Sequence, residues 1–182
     1  MKRGEMPKEK KDKKYKSIGT KIGRVAAAMQ VISFVLAMII CIFMFMSLIT
    51  KMQEERCTNG TNILASELER ISGSEDINQL LDDLKSRMGC EFTIFEGDTR
   101  AYSTVTKDGE RVVGTKLSSE LNEIVLQQGK EYVGEADILG VDYLCSYVPT
   151  KGDDGKVNGL IFAGISMAEV KKQVFSVIVW AT

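Results

Sequence analysis

Arg100, Ser103 and Thr104, within TIFEGDTRAYSTV over residues 93–105, are residue types that could hold a small charged molecule. A guanidinium presents a planar fork that can grip a carboxylate through two parallel hydrogen bonds, while hydroxyls fix the orientation of what it grips. Tyr132, Tyr143 and Tyr147 follow and would supply aromatic walls that exclude water. Arg111 and Lys116 are alternative cations. Each residue also has a plainer reading: Arg100 as a surface charge near Asp98, the tyrosines as half-buried core, Arg111 and Lys116 as solvated. All of this is the chemistry of binding. The chain contains no histidine, which excludes Ser-His-Asp and Cys-His catalysis within it and removes the commonest metal ligand. No CxxC pair occurs among the four cysteines, and Asp153-Asp154 in KGDDG reads as a turn more readily than as a calcium loop. No GxSxG motif is present. The expectation is a protein without catalytic residues, metal or cofactor.

Several elements must position these residues. KMQEERCTNGTNILASELERI, 51–71, reads as a helix with an apolar stripe of Ile63, Leu64, Leu68 and Ile71 and a weak point at Asn59-Gly60. Asn59-Gly60-Thr61 also matches a glycosylation sequon, though a flexible spot is the simpler reading. A capping box from Ser72 to Glu75 precedes a helix over about 76–88, which Gly89 stops. After Gly89 the period changes from helical to alternating. CEFTIF and RAYSTV form a hairpin about Gly97-Asp98, and KDGERVVGT carries a second turn. LSSELNEIVLQQG is a small helix capped by Ser118 or Ser119. EYVGEADI, VDYLCSYV and GLIFAGIS are three further strands, and a last helix begins near Ser166.

Strand alternation sharpens the site. Tyr143, Cys145 and Tyr147 share one face, whereas Ser103 and Thr104 point opposite ways unless a bulge intervenes. A Cys90–Cys145 disulfide is compatible with the strands but not established by spacing. Adjacent strands joined by short turns argue for one antiparallel sheet with helices to one side, an α+β domain of about 120 residues.

Charge and hydropathy set the surroundings. The formal net charge of -1 divides into +7 over residues 1–24 and -8 over the remainder. Between them, Val25–Thr50 is an uncharged run of 26 residues, long enough to cross a bilayer as a helix. A signal peptide would have a shorter apolar region ending in small residues. The basic leader, 1–24, predicts a cytoplasmic N-terminus and an outer segment from Lys51 onward. Its alternative reading, a nucleic-acid arm, is weaker because it adjoins the membrane run. VFSVIVWAT, 174–182, is too short to span and reads as the start of a second membrane helix.

The ordered set of these blocks resembles the single Cache sensor domain, more closely the version in bacterial methyl-accepting chemotaxis proteins. The resemblance covers roughly residues 25–182 and rests on the order of TIFEGDTRAYSTV, GERVVGTKL, GKEYVGEADILGVDYLCSYVPT and GLIFAGIS rather than on any single block. It implies a PAS-like five-stranded antiparallel sheet behind a long N-terminal helix, spanning residues 51–173 outside the cell. It further implies a ligand such as a small carboxylate or other metabolite, a homodimer, and cytoplasmic signalling partners reached through a further C-terminal part, with no nucleic acid involved. On that basis Arg100, Ser103, Thr104, Tyr132, Tyr143 and Tyr147 are the expected ligand residues. Sensor histidine kinases and cyclases use such input domains too, so they are the alternative output. A membrane-anchored enzyme and an adhesion module are the competing classes.

Overall fold

The computed structural model describes residues 18–70, 76–152 and 154–172. Most of the basic leader, the Ser72–Glu75 capping box, Asp153 and the apolar tail 174–182 lie outside the described residues. Contacts divide the chain after Ser47.

Helix α1 runs unbroken from Ile18 to Arg70. In its first part the large apolar side chains face outward, among them Phe34, Phe43 and Met44. The helix contains a stretch of mean hydropathy 2.8, none of it buried by protein, and is long and apolar enough to cross a membrane. In its second part Cys57, Gly60, Thr61 and Leu64 are buried at i, i+3, i+4 and i+7, one helical stripe. Gly60 is not the weak point that its sequence neighbourhood predicts. A Cβ there would lie 3.1 Å from the Ala163 Cβ and 3.2 Å from the Phe92 ring. The missing side chain lets the helix seat against the sheet, at a cost of about 0.5–1 kcal/mol in helix propensity.

Helix α2, Ile77–Met88, is capped by Asp76, whose carboxylate accepts from the Asn78 and Gln79 N–H groups. Gly89 ends it at φ 64°, in the left-handed region open to glycine, with its N–H on the Lys85 carbonyl.

Five strands follow in one antiparallel sheet: β1 (Glu91–Glu96), β2 (Thr99–Ser103), β5 (Tyr132–Ile138), β6 (Val141–Lys151) and β7 (Val157–Ser166), in the order β2-β1-β7-β6-β5. A small hairpin, β3 (Thr106–Lys107) with β4 (Glu110–Arg111), stands apart from it. The short helix α3, Ser119–Leu121, is capped by Ser118 and opens into a wider turn over Asn122–Gln127. There the Gln128 N–H reaches back five residues to the Glu123 carbonyl. Residues 167–172 begin the last helix, with Ser166 Oγ accepting from the Glu169 N–H. The α+β class and the five-stranded antiparallel sheet stand as the sequence predicts.

Alternation sorts the sheet into two faces. Phe92, Ile161, Ala163 and Ile165 join Cys57, Leu64, Leu81 and Leu84 in the layer under α1 and α2. Phe95, Tyr143, Cys145, Tyr147, Leu160 and Phe162 lie on the other face, beneath Val105, Val112, Leu117, Leu121 and Val125 of the covering loops and α3. Cys90 belongs to the first layer and Cys145 to the second, and all four cysteines are free thiols. The sheet lies between Cys90 and Cys145, so these two cannot be bridged.

Candidate ligand-binding site

The position of Arg100 follows from a break in strand pairing. Along β1 and β2, Ile94 faces Tyr102 but the next residue, Phe95, faces Arg100, so Ala101 is an extra residue on β2. Strict alternation would put Arg100 with Tyr102, which packs in the helix-side layer. The bulge turns Arg100 over instead, and its guanidinium carbon lies 5.1 Å from the centre of the Phe95 ring on the loop-covered face.

The side chain is only 4% exposed. Its Nη1 donates to Thr115 Oγ1 at 2.8 Å, and its backbone exchanges bonds with the covering loop, Arg100 N–H to the Thr115 carbonyl and Gly114 N–H to the Arg100 carbonyl. Tyr147, 1% exposed, is an electrostatic neighbour of the guanidinium, and its ring centre lies 4.9 Å from that of Phe162 at a tilt of 48°. Nε has no partner. Among the described residues no carboxylate forms an ion pair with Arg100. Burial lowers its pKa, opposed by the neighbouring Tyr147 and Tyr143, yet an arginine stays protonated at neutral pH. A cation is therefore held out of water without a counter-charge among the described residues, an arrangement that costs several kcal/mol.

The other two candidate cations are already satisfied. Arg111 Nη2 donates to both carboxylate oxygens of Asp82 on α2, at 2.8 and 2.7 Å, and Lys116 pairs with Asp98 at 2.9 Å. Arg100 is the cation of the three that lacks an acid.

The structure brings Arg100, Tyr143 and Tyr147 together. Burial raises the pKa of both tyrosines, so their hydroxyls stay protonated and able to donate. Tyr132 stands at the margin, its ring 6.3 Å from Tyr147 and its hydroxyl donated to the Glu135 carbonyl at 2.6 Å. Ser103 and Thr104 are spoken for. Ser103 Oγ shares a 2.8 Å bond with Thr93 Oγ1 and accepts from the Val105 N–H. Thr104 Oγ1 accepts from the Phe92 N–H and bonds the Glu91 carboxylate, which is itself paired with Lys85. These two hydroxyls brace the strand ends. Thr115 and Phe95, which touch the guanidinium, escape a reading by residue type. Phe95 becomes visible only once the bulge fixes which β1 residues share a face with Arg100.

A groove of about 780 Å³ lies elsewhere, where α1 and α2 approach, lined by Glu67, Asp76, Asp82 and Asp83 among others. Its carboxylates would repel an anion.

The family described as single cache domain 3 matches residues 72–177, more than half of the chain. No curated protein sequence matches this chain. Among solved structures, the E. coli DcuS sensor domain is similar at 14% identity and a TM-score of 0.50, covering 70% of this chain and 98% of that one. At this identity the likeness is one of fold. A sensory box sensor histidine kinase from Vibrio cholerae is similar at 12% identity and a TM-score of 0.31, over 48% of this chain and 87% of that one.

Proposed function

The chain belongs to the single cache domain 3 family, and from that premise we propose that it is the sensing part of a membrane receptor, taking a small carboxylate at Arg100. The observation that carries this reading is the buried guanidinium with an unpartnered Nε and no acid beside it. A carboxylate would replace the Thr115 and Tyr147 contacts with charge-assisted bonds in a dry site, where they are strongest. Tyr143 and Tyr147 would close over it. The protein works by binding, with no chemical step.

The layout that goes with this function is a basic cytoplasmic leader, 1–24, a membrane helix, 25–50, a sensor domain outside the membrane, 51–173, and a second membrane entry over 174–182. The positive leader supports the orientation. Two such chains would pair into a dimer. Ligand binding biases the sheet between two states, and α1, one helix from Ile18 to Arg70, carries the difference along its length. The output we favour is chemoreception, on the sequence blocks that resemble methyl-accepting chemotaxis proteins; a sensor histidine kinase or cyclase is the alternative.

A thermal-shift screen of the detergent-solubilised chain against small mono- and dicarboxylates, amino acids and neutral metabolites tests the ligand class. One selective carboxylate should raise Tm, by about 2.7 kcal/mol of stabilisation at one hundred times its Kd. A neutral metabolite as the sole stabiliser would overturn the assignment. The coding sequence downstream of Thr182 decides the output: a long heptad-patterned coiled coil supports chemoreception, and a kinase or cyclase domain moves the protein to the alternative.

A further inference from the structure

On the helix face of the sheet, away from Arg100, two thiols meet. Cys57 on α1 is fully buried, and Cys90, between Gly89 and β1, is 2% exposed in the same apolar cluster. In the reduced form Cys57 donates to the Leu144 carbonyl at 3.4 Å and Cys90 to the Met88 carbonyl at 3.8 Å. Arg56 and Gly60 of α1 approach Gly89 and the Phe92 ring, so Cys57 and Cys90 lie between these two contacts. Their mutual influence is the first cause raising the pKa of Cys57 and lowering that of Cys90.

Arg56 completes the group. Its Nη2 lies 2.9 Å from where a Cβ on Gly89 would sit, so glycine leaves the guanidinium room beside Cys90. Its charge favours the thiolate at both cysteines. A cation beside a thiol pair is the setting of reactive cysteines, whereas a thiol in purely apolar surroundings is inert. Cys145 is the internal contrast: burial alone pushes it up to about 12. The carboxylate site uses neither Cys57 nor Cys90.

We propose that Cys57 and Cys90 form a reversible disulfide, a redox clasp tying α1 to the head of β1. The oxidant is a low-molecular-weight disulfide. The Cys90 thiolate attacks one of its sulfurs, the oxidant's S–S bond breaks, and one thiol leaves. Cys57 then gives up its proton and attacks the Cys90 sulfur of the mixed disulfide, releasing the second thiol. Two protein thiols are oxidised to one S–S bond, one oxidant disulfide is reduced to two thiols, and the two protons leave with them. Both sulfurs are buried, so exchange proceeds through local opening where α1 and α2 meet the sheet. The bond closes a loop that contains all of α2, and so limits the unfolded chain and the movement of α1 against the sheet alike. The clasp is independent of the carboxylate reading, and neither test depends on the other.

Peptide mapping of the full chain tests the clasp. The protein is treated with oxidised glutathione, unfolded, alkylated and digested without reductant, with a dithiothreitol-treated sample beside it. The expected result is a linked peptide joining Cys57 to Cys90, loss of the alkyl label at both, retention of the label at Cys145, and full recovery with dithiothreitol. In Cys57→Ser, Cys90 should instead accumulate the mixed disulfide with glutathione. The proposal is overturned if Cys57 and Cys90 both keep their labels under the oxidant, or if Cys90 links only to another cysteine. The map of the native sequence distinguishes these outcomes even if the serine variant fails to fold.

Discussion

Under α1 and α2, Phe92, Ile161, Ala163 and Ile165 meet Cys57, Leu64, Leu81 and Leu84, none of them more than 1% exposed. Through the same sheet, on its other side, Phe95, Tyr143, Tyr147 and Phe162 share a layer, and against its Phe95 ring lies an arginine that is almost as deeply buried. The helix layer pairs its buried hydroxyls: Thr61 Oγ1 and Ser146 Oγ share a bond at 3.2 Å, and Thr61 also donates within the helix. The loop layer leaves Arg100 Nε bare. Similar burial with unequal satisfaction separates the two faces, and under the proposed function the loop face is the one that receives a ligand. Buried groups are paired where nothing is expected to arrive, and a buried charge left without its counter-ion is a cost that a ligand can repay.

The sharpest break of this comparison is Phe92→Ala, a truncation in the helix layer. It should lower unfolding free energy by about 3–5 kcal/mol in denaturant titration. A loss below about 1 kcal/mol would mean that α1 does not depend on this packing.

Arg100→Met should act in the opposite direction. Replacing an uncompensated buried cation by an apolar chain is neutral or stabilises by about 1–4 kcal/mol in the ligand-free protein. A large loss of stability would make Arg100 a brace for the Thr115 loop and remove the asymmetry between the faces.

Thr61→Val tests whether the helix layer needs its polar pair. It should cost about 1–3 kcal/mol, the penalty for leaving Ser146 buried without its partner. Thr61→Val with Ser146→Ala together should cost less than the two single changes added, because the second removes the orphan made by the first. Smallest of all, Arg111→Ala should change stability by about 0–1 kcal/mol, since its pair with Asp82 is substantially solvent-exposed.

Much of this contrast could be read in the chain itself. The change of period after Gly89 marked the passage from helix to sheet, and alternation put Tyr143, Cys145 and Tyr147 on one face. What escaped depends on pairing across space. Nothing in TRAYS announces that Ala101 is the extra residue, yet that one position decides which face Arg100 joins. Gly60 reads locally as a helix weakness, and only the approach of Phe92 and Ala163 explains it. Asp76 caps α2, a role its residue type allows but which only the observed start of the helix assigns to it. Cys90 and Cys145 both fall in strand-like runs of the sequence, but Cys90 stands just ahead of β1, and the layer each joins follows from packing across space, which one sequence does not contain.

The central claim is that Arg100 is the counter-charge for a small carboxylate. Isothermal titration calorimetry of the detergent-solubilised chain, with the best carboxylate from the thermal screen, tests it in the native sequence and in Arg100→Met. Saturable binding to the native chain, lost in the variant while its unfolding transition is retained, is the predicted result. Equal affinity in the two proteins would contradict the claim.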